Sequence, residues 1–475
     1  MACRGGAGQG FMTQMGLTHR IRNGIATGLA LSLTASFALA QQAAVGGSQK
    51  APPRLTFNLS TSLTSDSNPT LSATPKAQTT LDTRLGLDFN TATAGQSLSF
   101  AVNGLARAAS GDGVALRDPS ADLSYQRDNG NSRFSVSGLY RQAPVDLFEP
   151  LVLSDGSVST TDILATKGTI TTTTAGVGFE TGLQRPLGFD VSGHYSARDY
   201  SDTTDPTVFN STSRDLKAGV HLRMASGDQV NLTASTKASD SQNATKTATR
   251  TQDVSLGYTR SLSPTLKLQT ALGQTDATTR QSGVVTSHSN GLTGSLGLDA
   301  TLPNGTASAT LTVARDSRGT RQTLSFGRSL KLPNGTLSLT AGVSARSGAA
   351  GQMIGTLAYA HTLPTESFGV NLSRQVTLNA DSQDATNTVL GLTYQHKINP
   401  VSDIGLSVNV LATGGGTGVA EATRQSLRAT YSHDLTADWQ MTAGYQFRSL
   451  DKSTTGTADS SSIFLTLSRK FTLLP

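Results

Sequence analysis

The sequence predicts an all-β chain, a transmembrane antiparallel up-and-down β-barrel of about 22 strands, with short periplasmic turns and longer extracellular loops. Three observations predict it. Apolar residues alternate with small or polar ones in stretches of about ten residues, from Arg54 almost to the C-terminus. The connections between these stretches alternate short and long. An export-type segment stands at the head of the chain.

The head comes first. Arg20 and Arg22 precede a mostly apolar run over residues 25–37, and Ala38-Leu39-Ala40 follows as a small-residue cleavage site. The run is too short to cross a membrane as a helix. The expected layout is a signal peptide over 1–40, with Met12 or Met15 as alternative starts, a short periplasmic segment over 41–53 and a barrel over 54–475. The single cysteine, Cys3, leaves with the signal, so the exported chain forms no disulfide and no thiolate metal site. The formal charge of +6 loses Arg4, Arg20 and Arg22, giving 6 − 3 = +3. This balance does not call for nucleic acid. Hydrophobic residues make up 36% and aromatics 5% of the chain, too little for a soluble core of 475 residues.

The strand windows start at 54–64 and end at 461–473, with 119–127, 265–275, 288–302 and 439–449 among those between. Over 439–449 the pattern is plain: Trp439, Met441, Ala443, Tyr445 and Phe447 share one face, and Gln440, Thr442, Gly444, Gln446 and Arg448 the other. Short turns such as Asp128-Asn129-Gly130, Pro303-Asn304-Gly305, Pro333-Asn334-Gly335 and Asn399-Pro400 follow every second strand. The intervening loops are mostly longer, and the longest spans 142–167. A fibrous β-solenoid repeats at fixed spacing instead, so the alternation favours a barrel.

Several descending strands end alike, with an aromatic, then a basic residue two later, then an apolar one two after that. Tyr258, Phe326, Tyr359, Tyr394 and Tyr431 open this pattern and Tyr125 begins it, which predicts a periplasmic aromatic girdle facing lipid. His361, His396 and His433 hold the basic position; they lie on separate hairpins and face lipid, which argues against a metal site.

With the strands placed, the chain resembles the outer-membrane β-barrel porins of proteobacteria over nearly all of its exported length. The carriers are the first hairpin, Leu63-Thr64-Ser65-Asp66-Ser67-Asn68-Pro69, and the last strand, Ile463-Phe464-Leu465-Thr466-Leu467-Ser468-Arg469-Lys470-Phe471. The last strand is similar to the signal read by the barrel insertion machinery, with Leu465, Leu467 and Phe471 as its key positions. It departs from that signal in that Thr472-Leu473-Leu474-Pro475 follows Phe471. The resemblance implies solute passage or association with surface-polymer export.

Parity assigns the polar face to the lumen. It receives Arg84, Arg107, Arg133, Arg141, Arg198, Lys217, Arg223, Lys237, Lys267, Lys331, Arg346, Lys397, Arg428 and Arg448, fourteen cations, against eight anions: Asp82, Asp88, Glu180, Asp190, Asp215, Asp253, Asp299 and Asp434. This lining favours anions weakly; the plainer reading is charges that solvate the lumen and bridge strands. Few aromatics point inward. Arg374 falls on the lipid parity in mid-strand, which calls for a bulge or a misplaced window.

No nucleophile elbow, P-loop, zinc-protease or EF-hand motif is present, so an enzyme is not expected, and no cofactor is called for. A TonB-dependent transporter of similar strand number carries a plug domain, for which the stretch before the first strand is too short. The leading reading is a passive or weakly selective channel for small hydrophilic solutes, with anions favoured. Its partners are outer-membrane lipid, lipopolysaccharide and, during biogenesis, the insertion machinery. The alternatives are a structural or polysaccharide-export barrel and a secreted adhesin-like β-protein. The 142–167 loop, with Phe148, Leu151, Val152 and Leu153, is the expected constriction.

Overall fold

Backbone amides in a strand need partners, and hydrocarbon supplies none. A sheet that crosses a membrane therefore has to close on itself. The computed structural model describes residues 51–474 except 110–113, 145–167, 204–207, 226, 379–383, 415–420 and 454–455. The export segment, residues 41–50 and the centre of the 142–167 loop lie outside the described residues.

The strands in order are β1 (Ala51–Asp66), β2 (Gln78–Ala92), β3 (Gln96–Ala109), β4 (Val114–Asp128), β5 (Ser132–Pro144), β6 (Thr169–Thr181), β7 (Leu187–Ser201), β8 (Ser211–Arg223), β9 (Gln229–Ser241), β10 (Thr247–Ser263) and β11 (Leu266–Gln281). There follow β12 (Val284–Leu302), β13 (Gly305–Asp316), β14 (Gly319–Leu332), β15 (Gly335–Arg346), β16 (Gln352–Thr362), β17 (Glu366–Leu378), β18 (Asp384–Asn399), β19 (Ser402–Gly414), β20 (Ala422–Asp434), β21 (Trp439–Lys452) and β22 (Gly456–Leu474). Each pairs antiparallel with its chain neighbours. β1 then pairs with β22, from Leu55 opposite Leu474 to Asp66 opposite Ser462, and the 22-stranded ring is closed. Closure excludes the solenoid. Phe471 is not the end of pairing: β22 continues to Leu474, and the Phe57 and Phe471 rings meet across the seam at 5.8 Å.

The packing is inverted relative to a soluble protein. Leucines, valines and phenylalanines such as Leu81, Leu85, Leu256, Leu272, Phe326 and Leu465 stand exposed on the outer face, while Thr172, Thr275, Arg198, Ser426 and Ser460 are buried. The outer face is what lipid covers.

The apolar band has a readable upper edge. On β18 the outward residues run Ile398, His396, Tyr394, Leu392, Leu390 and then Thr388, eleven residues from end to end, which is about the length a tilted strand needs to cross the hydrocarbon. Arg374 lies opposite Thr388 and Gly355 in unbroken register, facing outward. Neither a bulge nor a misplaced strand is involved: Arg374 stands at the upper rim of the band, where its guanidinium donates to the Thr388 Oγ1 at 3.2 Å and the Met353 carbonyl at 3.3 Å. On β10, β11 and β12 the band ends at Val254, Leu272 and Leu292, and above it the outward row becomes Gln252, Asp276 and Asn290.

Several strands exceed their expected windows at this upper end. β11 runs to Gln281 rather than 275, β12 starts at Val284 rather than 288, β21 reaches Lys452 and β22 starts at Gly456. Above the lipid both faces are polar, so alternation carries no signal there. β4 starts at Val114, five residues before its window, because a bulge interrupts the parity. The register shifts between Asn103 and Leu105, and Asp118 adopts φ 52°; beyond it Leu116 and Val114 face outward again, opposite Ala106 and Ala108. The loop side also contains two tight turns, contrary to strict long–short alternation. β11–β12 turns at Ser282 and Gly283 (φ 50° and 84°), the primed geometry of a two-residue hairpin, and β13–β14 at Ser317 and Arg318.

The band makes a measurable prediction. Leu392→Arg, near mid-band, lowers unfolding free energy in vesicles by about 2–4 kcal/mol. Arg374→Leu, at the rim, changes it by less than about 1 kcal/mol in the same denaturant titration.

Candidate functional site

The candidate site is the lumen and its extracellular mouth. Arg84, Arg107, Arg133, Arg141, Lys217, Arg223, Lys267, Arg428 and Arg448 all fall on the inward parity of their strands. Three of them are tied to the wall itself. Arg107 makes a two-pronged bond to Asp82 at 2.8 and 2.9 Å. Arg133 reaches Asp128 at 3.3 Å and Glu180 at 3.9 Å. Arg223 donates to the Gly182 and Arg185 carbonyls of a periplasmic turn. His221 bridges Asp190 and Asn231 across three strands.

Arg428 lies over the Phe464 ring, 4.3 Å from its centre. Phe464 is an inward aromatic, and it is placed there by Gly444: a Cβ at that position would come within 2.4 Å of the ring. Arg321 and Arg424 also face inward. They lie at strand ends, where alternation does not distinguish the faces.

Two described segments leave the wall for the interior. The first is the β1–β2 loop. Asp66, the last residue of β1, accepts from Arg448 Nη2 at 2.7 Å and from Ser460 Oγ at 2.5 Å. Asn68, only 1% exposed, donates to the Ser72 and Asp459 carbonyls and accepts from the Ser72 amide. The Leu71 amide donates to the Asn68 carbonyl, and Leu71 takes φ 47°, a left-handed conformation a leucine rarely adopts. Its side chain packs with Leu411, Ala422 and Leu450, with Val389 and Ala458 against them. Leu411, Leu450 and Val389 share one inward row across β18 to β21, so Leu71 crosses inside the mouth to reach them. This is a compact apolar cluster on the wet side of the wall.

The second is the upper end of β18, at Asp384. Pairing of β16 with β17 stops at Gly355 and Arg374, although β17 and β18 pair on to Leu378 and Asp384. Asp384 meets Arg346, which also holds Asp316 by two 2.6 Å bonds, and Arg321. Arg346, Arg321 and Asp316 all lie on inward parity, so Asp384 meets them on the inner side of the ring. The 142–167 loop expected to constrict the pore lies, from 145 on, outside the described residues. The sequence signal for the β1–β2 loop was the Asp66-Ser67-Asn68-Pro69 run, but not the direction in which it folds.

At the opposite end Tyr125, Tyr258, Phe326, Tyr359, Tyr394 and Tyr431 all face outward. Tyr125 meets Phe134 edge-on, and Tyr359 meets Phe368. The rings of His361, His396 and His433 stack on Tyr359, Tyr394 and Tyr431. Leu465, Leu467 and Phe471 face outward on the closing strand, and Arg469 lies between the Trp439 and Phe471 rings.

Solved structures with the same ring can now be compared. The fold is that of outer-membrane transport barrels. The FrpB iron transporter from Neisseria meningitidis (F5-1 variant) matches at TM-score 0.57 and 9% identity, over 89% of this chain and 83% of that one. The siderophore receptor PiuA from Acinetobacter baumannii matches at TM-score 0.56 and 11% identity, over 87% and 82%. The ferric-catecholate import receptor Fiu from E. coli K12 matches at TM-score 0.53 and 12% identity, over 88% and 81%. At these identities the likeness is one of fold. It lies with receptor and transporter barrels and not with porins in particular. No family model and no curated protein matches the sequence.

The Arg448 tie is open to a direct check. Its side chain is 9% exposed and that of Asp66 12%, so Arg448→Ala leaves a nearly buried carboxylate unpaired. It lowers unfolding free energy by about 3 kcal/mol. The Asp66→Ala/Arg448→Ala double variant recovers part of the loss in the same titration.

Proposed function

We propose that this protein is an outer-membrane channel for small hydrophilic solutes, open or weakly selective, with a mild preference for anions. The observation that carries the reading is the way the inward ions are satisfied. Arg107 with Asp82, Arg133 with Asp128 and Glu180, and His221 with Asp190 all bond along the wall. They do not converge on a point, as the polar groups of a ligand pocket do. A polar wall around water, narrowed at the mouth by the β1–β2 loop, sorts by size and charge. The outward tyrosines act as the periplasmic girdle, and Leu465, Leu467 and Phe471 present the assembly signal to the insertion machinery. Lipid and lipopolysaccharide surround the barrel.

A second reading has its own support: the similar structures are iron and siderophore transporters and receptors. In that reading the ring imports a bulkier solute on demand. Surface-polymer export remains a third use of the same ring.

Single-channel conductance in a planar bilayer separates the readings. The channel reading expects a large, steady conductance with anion selectivity in asymmetric salt. Replacing residues 69–76 by a short Gly-Ser link raises that conductance, because Leu71 no longer crosses the mouth. A folded, heat-modifiable barrel that conducts nothing, with or without the loop, sinks the open-channel reading.

A further inference from the structure

The outer face of β8 to β11 carries a feature that passage through the lumen does not use. Three outward rows stack there in register. The lowest runs Ala218, Ala234, Val254, the next Leu216, Thr236, Gln252, and the top Arg214, Ala238, Arg250. The small side chains of the two lower rows leave a furrow of about 470 Å³ between the Leu216 and Val254 ridges, with Gln274 beside Val254 on its lower row and Gln252 and Asp276 on its upper one. Directly above it, Arg214 and Arg250 are exposed and flank Ala238. They stand two strand spacings apart, about 10 Å, with only a methyl group between them. Neither is within ion-pair distance of a carboxylate among the described residues. Asp276, one row below, is engaged by His288 at 3.7 Å, and Asp240 lies one row above.

We propose that this is a binding site for a phosphate-bearing lipid of the outer leaflet, with an acyl chain in the furrow and its phosphate between Arg214 and Arg250. The order of chemistry up the wall is the order along such a lipid. Apolar ridges come first, then the Thr236 and Gln252 hydrogen-bonding groups at the depth of the ester or amide linkages, then two cations at the depth of the phosphate. Two unpaired guanidiniums held this close repel each other, and a bridging phosphate turns that repulsion into charge-assisted hydrogen bonds. By contrast, Arg374, at the rim elsewhere on the ring, already donates to Thr388 and to the Met353 carbonyl. The site rests on reading the barrel as an outer-membrane one with its loops outward.

The test is native mass spectrometry of the full chain in mild detergent with added diphosphorylated lipid A, its dephosphorylated form, and inorganic phosphate as competitor. The expected result is one retained diphosphorylated lipid, at least tenfold preferred over the dephosphorylated form and undisplaced by phosphate. Arg214→Gln/Arg250→Gln and Ala234→Phe, which fills the furrow, each reduce retention about tenfold while heat-modifiable mobility is unchanged. Equal retention of both lipids by the unaltered protein overturns the site without reference to any variant. Displacement by phosphate, or loss with the arginine variant but not with Ala234→Phe, marks an anion patch and overturns the lipid site. Loss of heat-modifiable mobility in the unaltered protein removes the barrel reading beneath it.

Discussion

The constraint on which the structure depends is that no backbone amide is left facing lipid. A sheet satisfies it only by having no edge, and here the edge is removed by twelve residues of β1 pairing with β22, from Leu55 to Asp66. Once the ring is closed, each side chain has two choices, lipid or lumen, and alternation assigns them. The outward leucines, the inward threonines and the wall-bonded ions all follow from closure.

The lumen follows a second rule. A charge facing water inside a ring is screened on one side only, and its cheapest partner is the next strand. The Arg107–Asp82 and Arg133–Asp128 pairs stiffen the wall while leaving the centre to solvent. Where ions do gather, as Arg346 does with Asp316 and Asp384, they fasten a segment that has left the wall. Wall pairs and fasteners thus do different jobs with the same residue types.

The legibility of the fold in the sequence has a physical boundary. Within the apolar band, lipid on one side and water on the other force a two-residue rhythm, and the strand number and facing of residues such as Arg84, Lys217 and Tyr394 can be read from it. Above the band, water lies on both sides, and the upper reaches of β11, β12 and β22 lose the rhythm. At Arg374 strand position and depth part company: the strand extends beyond the lipid, and Arg374, past its middle, stands at the rim. The Leu71 cluster was beyond reach for another reason: its partners Leu411 and Leu450 lie far along the chain, and nothing local to Leu71 announces which way its loop turns.

Asp66 lies 382 residues from Arg448 and 394 from Ser460. Its bonds to them form only when the first strand has met the last hairpin. The seated loop therefore marks a ring in which the two ends of the polypeptide have found each other. The contact that holds the first loop inward is thus also a record of completed closure.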